Sequence, residues 1–352
     1  MAPDLRFRLL RHPSHPERLT DAVNVVEQVV PHAANGPATM WWLPEVVDLA
    51  GVDLFHATFN IMPAGLSMPC VVTIHDIMRL THPNLCRTGI RGEIERRFYG
   101  HGIVRAIRSA GAIAAISSAT ADAIAAYHPE AGDRTHVTRS GVSEQFQPRR
   151  PDPAALQALG IAPGRPFVLT VGQDAPYKNH EGALRSFALA FADRPDIELV
   201  MVQRGAGPRG RLAHLARSLG IDSRVRFMRT IGTDELVTLY GAACALLHPS
   251  FVEGFGNPVA EAMACGCPVI TSSVSSMPEV AGGAALLADP EDIDAIAHCL
   301  NQVIGSPILA QQMRAAGLIR ARSMLWRDFA AANLSIYRRI LAFPGGAKPD
   351  QG

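Results

Sequence analysis

Lysine is almost absent from this sequence. Of 33 basic residues only two are lysines, Lys178 and Lys348, and the second stands in the closing stretch PGGAKPDQG. A net charge is missing too, since 33 basic against 32 acidic residues leave +1. Divided at residue 150, the chain has 15 basic and 14 acidic residues before the cut and 18 of each after it. Neither half carries the positive field that draws in nucleic acid, so a basic binding module is excluded. There is no apolar run of about eighteen residues, the length a membrane-spanning helix needs. The most apolar stretch, Ala110 to Tyr127, is interrupted by Asp122. The opening residues MAPDLRFRLLRHPSHPERLT contain no apolar core of signal-peptide length. The six cysteines show no CxxC and no zinc spacing. Cys265 and Cys267 read as small buried thiols, and the expected compartment is a reducing cytosol. Neither a metal nor a cofactor is expected.

A chain of 352 residues exceeds one ordinary hydrophobic core and implies two domains. Short β-branched runs at Val71–Ile74, Phe167–Val171, Ile197–Val202 and Pro268–Ile270 are interleaved with helical stretches such as Thr233–Ala243 and Asp292–Ile304. That alternation predicts an α/β protein with parallel sheets covered by helices. The segment 147–153 has three prolines in seven residues, the composition of a linker. It places the domain boundary near 148/149, ahead of a short helix over Ala154–Leu159. Trp326, Phe329, Ile336, Tyr337 and Ile340 approximate an apolar stripe on a final helix over 326–341, which needs a surface to cover. Residues 342–352 read as a flexible tail.

Two stretches of the second half carry chemistry. Phe167-Val-Leu-Thr-Val-Gly172 reads as a buried strand, and Lys178 follows in the loop before a helix. Ligands of doubly wound sheets bind at the carboxyl ends of strands, where a compact ammonium suits a phosphate. An isolated lysine is more often a solvated surface residue; the near-absence of lysine elsewhere weighs the other way. The second stretch runs from His248 through Glu253-Gly-Phe-Gly-Asn-Pro258-Val-Ala-Glu261 to Ile270. It predicts a strand end, a tight loop over Gly254–Asn257 and a helix with Pro258 at its first position. Glycines let a ligand approach the backbone, and a helix start favours an anion. Glu253 before the helix and Glu261 one turn into it can both read sugar or ribose hydroxyls. The plainer alternative makes Glu253 a helix-dipole partner and Glu261 a surface residue.

EGFGNPVAE at 253–261 resembles the Glu-x7-Glu motif of family 4 glycosyltransferases, and the likeness continues through AMACGCPVI, SSVSSMPEVAGGAALLADPEDIDAIA at 272–297 and VGQDAPYKN at 171–179. In the first half Asp53–Asn60, Val72–Asp76, Ala115–Ser118 and Ser140–Val142 fit the same family, so the resemblance covers roughly residues 50 to 340. It is similar above all to the mannosyltransferase-like branch that builds bacterial surface polysaccharides. The resemblance implies the GT-B architecture, two Rossmann-like domains facing across a cleft, with the final helix crossing back to the first domain. It implies retaining transfer of a hexose, mannose as the best single expectation, from a nucleotide-diphosphate sugar to a glycan or lipid-linked glycan, without a metal ion. Lys178 would hold the donor diphosphate, with Gly172 and Asn179 beside it. Glu253 would bind hydroxyls of the donor sugar and Glu261 the ribose. Amides of Gly254, Phe255, Gly256 and Asn257 would contact the sugar, and those near Pro258 and Val259 the diphosphate. His75, at the end of a first-domain strand, would face the donor sugar; without the resemblance it reads as a core histidine.

The sequence departs from the family in three places. Many relatives have an arginine before the lysine, where this loop offers Gln173 and Tyr177, with Arg204 as a candidate replacement. Ser140-Gly-Val-Ser143 stands where Asn-Gly-Val-Asp is usual. The opening strand, Leu5–Leu10, resembles the relatives' second strand, so their first βα unit is expected to be missing and Leu5–Leu10 to lie parallel to and near the strand ending at His75. The missing first unit and the absent arginine motivate an alternative, a catalytically impaired nucleotide-sugar-binding partner in a polysaccharide assembly complex. Asp292-Ile-Asp294 resembles a metal-binding Asp-x-Asp but sits at a helix start, where acids offset the dipole; Glu279 reads as another helix-start acid. Residues 79–108 carry seven arginines against Glu93 and Glu95, with Ile90, Ile94 and Phe98 at helical spacing. Such a helix over 87–108 either rests on an anionic membrane, making the protein peripheral on the inner membrane face, or is solvated with one buried face.

Overall fold

The computed structural model describes residues 2–86, 89–162, 164–204 and 210–342, apart from the side chains of Arg91 and Arg204. Its contacts divide the chain into two compact units, with breaks at 81/82, 92/93, 138/139 and 326/327; the final helix joins the amino-terminal stretches. The boundary differs from the proline-rich segment expected to mark it. Residues 139–148 pack into the second unit because Val142 bridges to Leu325 and the Phe146 ring meets Tyr240 edge-on at 6.2 Å.

The first unit holds two parallel sheets. β1 (Phe7–Arg11) pairs with β2 (Val25–Val29), and β3 (Phe55–Ala57), β4 (Cys70–Ile74), β5 (Ala112–Ala115) and β6 (Thr135–Val137) form a second sheet in that order. The expected neighbourhood of the opening strand and β4 is thereby corrected. β4 has β3 and β5 on its two edges, and the backbone groups of β1 are matched by β2. Every residue of β4 and β5 is buried, as strands covered on both faces require. One face is covered by Ile103, Ala106 and Ile107 of the helix Gly89–Ser109. The other is covered by the final helix, Trp326–Ala342, whose Ile336, Tyr337 and Ile340 lie on Val71, Ala112 and Ala114. His56 ties this helix down: Nδ1 is 2.5 Å from the Tyr337 hydroxyl and Nε2 is 2.8 Å from Thr73 Oγ1. In the helix Gly89–Ser109 the residues at spacing four are not the core face, since Ile90 and Ile94 are 85% and 64% exposed.

The second unit is one six-stranded parallel sheet, built from β7 (Phe167–Gln173), β8 (Glu198–Arg204), β9 (Val225–Met228), β10 (Ala245–His248), β11 (Val269–Ser272) and β12 (Leu286–Ala288). The spatial order is β12-β11-β10-β7-β8-β9. Its core sets Val168, Leu199, Met201 and Leu247 against Leu184, Phe187, Leu212, Ile296 and Leu300 from the covering helices. Asp292 caps the helix Ile293–Gly305 by accepting a hydrogen bond from the Ala295 amide at 2.9 Å, which occupies it as a helix-start acid. No group of three or more His, Cys, Asp or Glu suited to a metal ion occurs among the described residues. The six cysteines are all free thiols. No described helix is long and apolar enough to cross a membrane.

Candidate functional site

From β7 the chain steps outward through β8 to β9, then returns to β10 on the other side of β7 and proceeds through β11 to β12. The loops leaving β7 and β10 therefore diverge, and such a reversal opens a ligand crevice at the carboxyl ends of the two strands. Both stretches singled out in the sequence emerge there. The turn Pro176–Lys178 follows β7, and residues 249–256 follow β10 before the helix Asn257–Ala264.

Gly172 makes room for the lysine. A Cβ at that position would sit 3.2 Å from Lys178 Cδ, so the bare backbone is the surface over which the lysine stem runs. Lys178 Nζ donates to Glu253 Oε1 at 2.6 Å, and both side chains are buried, at 9% and 10% exposure. Two more groups reach the same oxygen: His248 Nε2 at 3.0 Å and the Ser250 hydroxyl at 2.8 Å. Burial by itself would push the Glu253 carboxyl up. The Lys178 ammonium and the His248 hydrogen bond outweigh it and hold Glu253 at about 2. Burial and the charge of Lys178 lower His248, more than Glu253 raises it, so its imidazole is neutral at physiological pH and donates through Nε2. His180, at the start of the next helix, is held at about 4, chiefly by burial, and its Nε2 lies 3.1 Å from the Gln173 carbonyl.

Glu261 sits in a different environment. Its Oε2 accepts from the Tyr240 hydroxyl at 3.0 Å. Burial raises its pKa by more than Tyr240 and the field of Lys178 lower it. Tyr240 is fully buried, and its own pKa is driven up by burial and by the Glu261 charge, so it stays a donor.

The loop between the two carboxylates is fixed from behind by two serines. Ser275, which adopts a left-handed backbone at φ 59°, accepts from the Glu253 amide at 3.0 Å and donates to the Glu253 carbonyl at 2.8 Å. The buried Ser276 hydroxyl lies 3.0 Å from the Glu253 carbonyl and 2.9 Å from that of Phe255. Gly256 caps the helix at φ 100°, a left-handed conformation that favours glycine, and a Cβ there would crowd Cε at the tip of the Met277 side chain. Behind it, Pro258 has no N–H, and the Val259 amide already donates to the Gly256 carbonyl at 3.0 Å. The expected amide contribution near Pro258 and Val259 is thus reduced to what Val259 can share. Asn179 is also occupied: at φ 52° it caps the helix His180–Ala190, taking the Gly182 amide at 3.1 Å and donating to the Pro290 carbonyl at 2.7 Å.

Gln173 and Tyr177, in place of the second cation, hydrogen-bond each other. The Arg204 side chain lies outside the described residues, as does Lys348. Gln203 beside it is fully buried with neither amide atom hydrogen-bonded, in register with Gly172. Glu279, in the first turn of Met277–Ala281, pairs with Arg139 at 2.7 Å. In the first unit, His75 follows β4 with its ring tilted at 35° to that of Phe59, 4.7 Å between centroids. Asn60 Oδ1 takes its amide proton at 2.6 Å and Thr120 Oγ1 donates to its carbonyl at 3.2 Å, so the backbone at this strand end is held from two sides.

Sequence reasoning missed His248, Ser250, Tyr240, Ser275 and Ser276. The first two lay inside the quoted motif, where a polar residue at a strand end beside a carboxylate was the available signal. The other three come from 21 to 23 residues away from the glutamates they bond, and only the fold brings them in.

Residues 152–319 match the family described as "Glycosyl transferases group 1". The chain is 28% identical over 290 residues to the O-antigen chain mannosyltransferase B of Escherichia coli, covering 82% of this chain and 74% of that one. It is 30% identical over 247 residues to a D-inositol 3-phosphate glycosyltransferase of Streptomyces scabiei, covering 67% of this chain and 55% of that one. Among solved structures, WaaG, a glycosyltransferase involved in lipopolysaccharide biosynthesis, superposes with a TM-score of 0.69 at 20% identity, over 90% of this chain and 88% of that chain. Sucrose-phosphate synthase from Thermosynechococcus elongatus gives 0.65 at 23% identity, over 79% and 69%. The fold is that of the GT-B glycosyltransferases, and residues 152–319, which contain the crevice at β7 and β10, form a glycosyltransferase group 1 domain with bacterial polysaccharide mannosyltransferases among its relatives.

Proposed function

We propose that the protein transfers a hexosyl unit, mannose by preference, from a nucleotide-diphosphate sugar to a glycan or lipid-linked glycan with retention at the anomeric carbon. The observation that carries this reading is the buried Lys178–Glu253 pair at the carboxyl ends of β7 and β10. An ammonium there meets the departing diphosphate, and a carboxylate beside it accepts hydroxyl hydrogen bonds from the sugar. Glu261, held against Tyr240, takes the ribose. His75 is assigned to the donor sugar on the resemblance alone. The negative charge that grows on the leaving diphosphate is met by a preorganised lysine and a helix start, so no metal ion is required. No carboxylate is assigned as a nucleophile; the leaving phosphate assists attack on the same face.

The acceptor side is proposed on exposure and charge. Ile94, 64% exposed, and Arg97, 78% exposed, share the helix Gly89–Ser109 with His101 and Arg105, against which Trp41 packs. Apolar residues, tryptophan and arginine together suit peripheral contact with an anionic membrane on its cytoplasmic side. The test is sugar transfer by the purified protein from a panel of nucleotide sugars to lipid-linked and soluble glycans, with and without EDTA. We expect transfer from GDP-mannose that survives EDTA. Binding of sugar nucleotides without turnover would favour a non-catalytic partner, and absence of binding would remove the donor-site assignment.

A further inference from the structure

Three donors crowd one oxygen of Glu253: Lys178 Nζ at 2.6 Å, Ser250 Oγ at 2.8 Å and His248 Nε2 at 3.0 Å. Before any ligand arrives, the lysine's charge is committed to a carboxylate. A diphosphate that claims Lys178 therefore does two things in a buried place: it adds negative charge and it leaves Glu253 without its ammonium. A buried carboxylate deprived of its counter-charge is strongly disfavoured. The remaining neighbours on Oε1 are a hydroxyl, which cannot become a cation, and the imidazole of His248.

We propose that His248 is the reserve counter-charge of Glu253, so that binding of the donor diphosphate draws Lys178 toward phosphate and takes up one proton from solvent onto the His248 ring. The neutral ring already donates through Nε2 to Glu253, so the added proton goes to Nδ1 and the Nε2–H···Oε1 bond becomes charge-assisted. No other atom gains or loses a proton in this step. His248 is thereby a positioning residue. It keeps Glu253 ionised and in place for a sugar hydroxyl while the lysine is engaged elsewhere. This inference rests on the donor-site reading above.

The groups that face His248 support the direction of the change. Lys178 disfavours the imidazolium, Glu253 favours it, and burial disfavours it, leaving the ring neutral in the ligand-free protein. His180, the nearby imidazole, is held neutral by burial, which outweighs the hydrogen bond to the Gln173 carbonyl that raises it, and it interacts unfavourably with a charged His248. Glu261 lies within the field of the same lysine. Moving Lys178 away and bringing phosphate in both shift the balance toward imidazolium. Proton uptake then makes donor binding tighten as pH falls through the interval between the free and bound ionisations of His248, by up to about tenfold per pH unit, the linkage limit for one proton.

The test is calorimetric titration of the full chain with GDP-mannose, and separately UDP-glucose, between pH 6 and 8 in buffers of different ionisation enthalpy. Sugar nucleotides are chosen because their diphosphate has no ionisation near neutrality, unlike a free nucleoside diphosphate. The expected result is net uptake of a substantial fraction of one proton, abolished in His248→Gln, which can still donate to Glu253 but cannot titrate. Should that variant fail to fold, nitrogen-15 imidazole spectra of the wild type with and without GDP-mannose give the same answer, as conversion of one neutral ring to imidazolium. Binding without proton uptake, or uptake unchanged in His248→Gln, overturns the inference and leaves the donor site standing. If neither sugar nucleotide binds, the donor-site reading falls and this inference falls with it.

Discussion

Glu253 and Glu261 are eight positions apart on either side of one helix start, and the fold treats them in opposite ways. Glu253 is buried with a lysine, a histidine and a serine on one oxygen and is held at about 2. Glu261 is partly buried beside a neutral donor, Tyr240, and its pKa is raised. Burial acts upward on both; what differs is the company. A carboxylate that a nearby cation keeps ionised is a permanent acceptor for hydroxyls. One that is kept uncomfortable is relieved when a ligand donates to it. The same residue type in one motif thus supplies two kinds of recognition.

That contrast breaks most severely at the lysine. Lys178→Met leaves Glu253 buried without a cation, and we expect a loss of about 3–5 kcal/mol of stability, the cost of removing one partner of a buried pair. Urea denaturation at neutral pH measures it, and the loss should shrink in acid, where Glu253 can protonate. Diphosphate affinity should fall as well, by about 1.5–3 kcal/mol. The pH dependence separates the carboxylates next. The Glu253 pKa is depressed from 4.5 to about 2 in the folded protein, so its contribution is present above 4.5 and lost as pH falls toward 2, about 3 kcal/mol in all. The Glu261 pKa is raised, so the stability associated with it is present at low pH and lost as pH rises through its folded value. Thermal melts at pH 7 should accordingly show Glu253→Gln destabilised and Glu261→Gln unchanged or stabilised.

Smaller changes probe the loop that holds the two apart. Gly256→Ala should cost about 1–3 kcal/mol through its left-handed backbone alone, with the Met277 contact added. Gly283, at φ 83° with nothing within 4 Å of the place a methyl group would take, should lose less on the same substitution. Ser276→Ala removes a buried hydroxyl from two carbonyls of the loop and should cost about 1–2 kcal/mol, with KM for the sugar donor rising more than kcat falls.

How much of this could be read from the sequence follows from the range of each interaction. The strands of the second unit were visible as β-branched runs, and the observed β7 and β11 begin within a residue of the expected runs. The order of strands was not visible, because pairing is a long-range choice; the opening strand pairs with Val25–Val29, whose valines are interrupted by Glu27 and Gln28. Lys178 was legible through its rarity, and its partner Glu253 through the spacing to Glu261. The sequence could not show that the two side chains touch, since Lys178 and Glu253 are 75 residues apart and meet only because β7 and β10 are neighbours. Ser275 stayed hidden for a different reason: its left-handed backbone is a conformation that sequence gives no cause to expect of a serine. In the helix Gly89–Ser109 the spacing of Ile90 and Ile94 was read correctly as helical, yet small residues such as Ala106, together with Ile103 and Ile107, make the core face.

The most direct test compares the affinities of wild type, Glu253→Gln and Glu261→Gln for GDP and for GDP-mannose. If Glu261 reads the nucleotide and Glu253 the sugar, Glu261→Gln weakens both ligands by the same factor. Glu253→Gln then weakens only GDP-mannose and leaves GDP unchanged or tighter, because Lys178 is released to the phosphates. Equal losses for both ligands in both variants, or no loss in either, would contradict the division of labour between the two carboxylates.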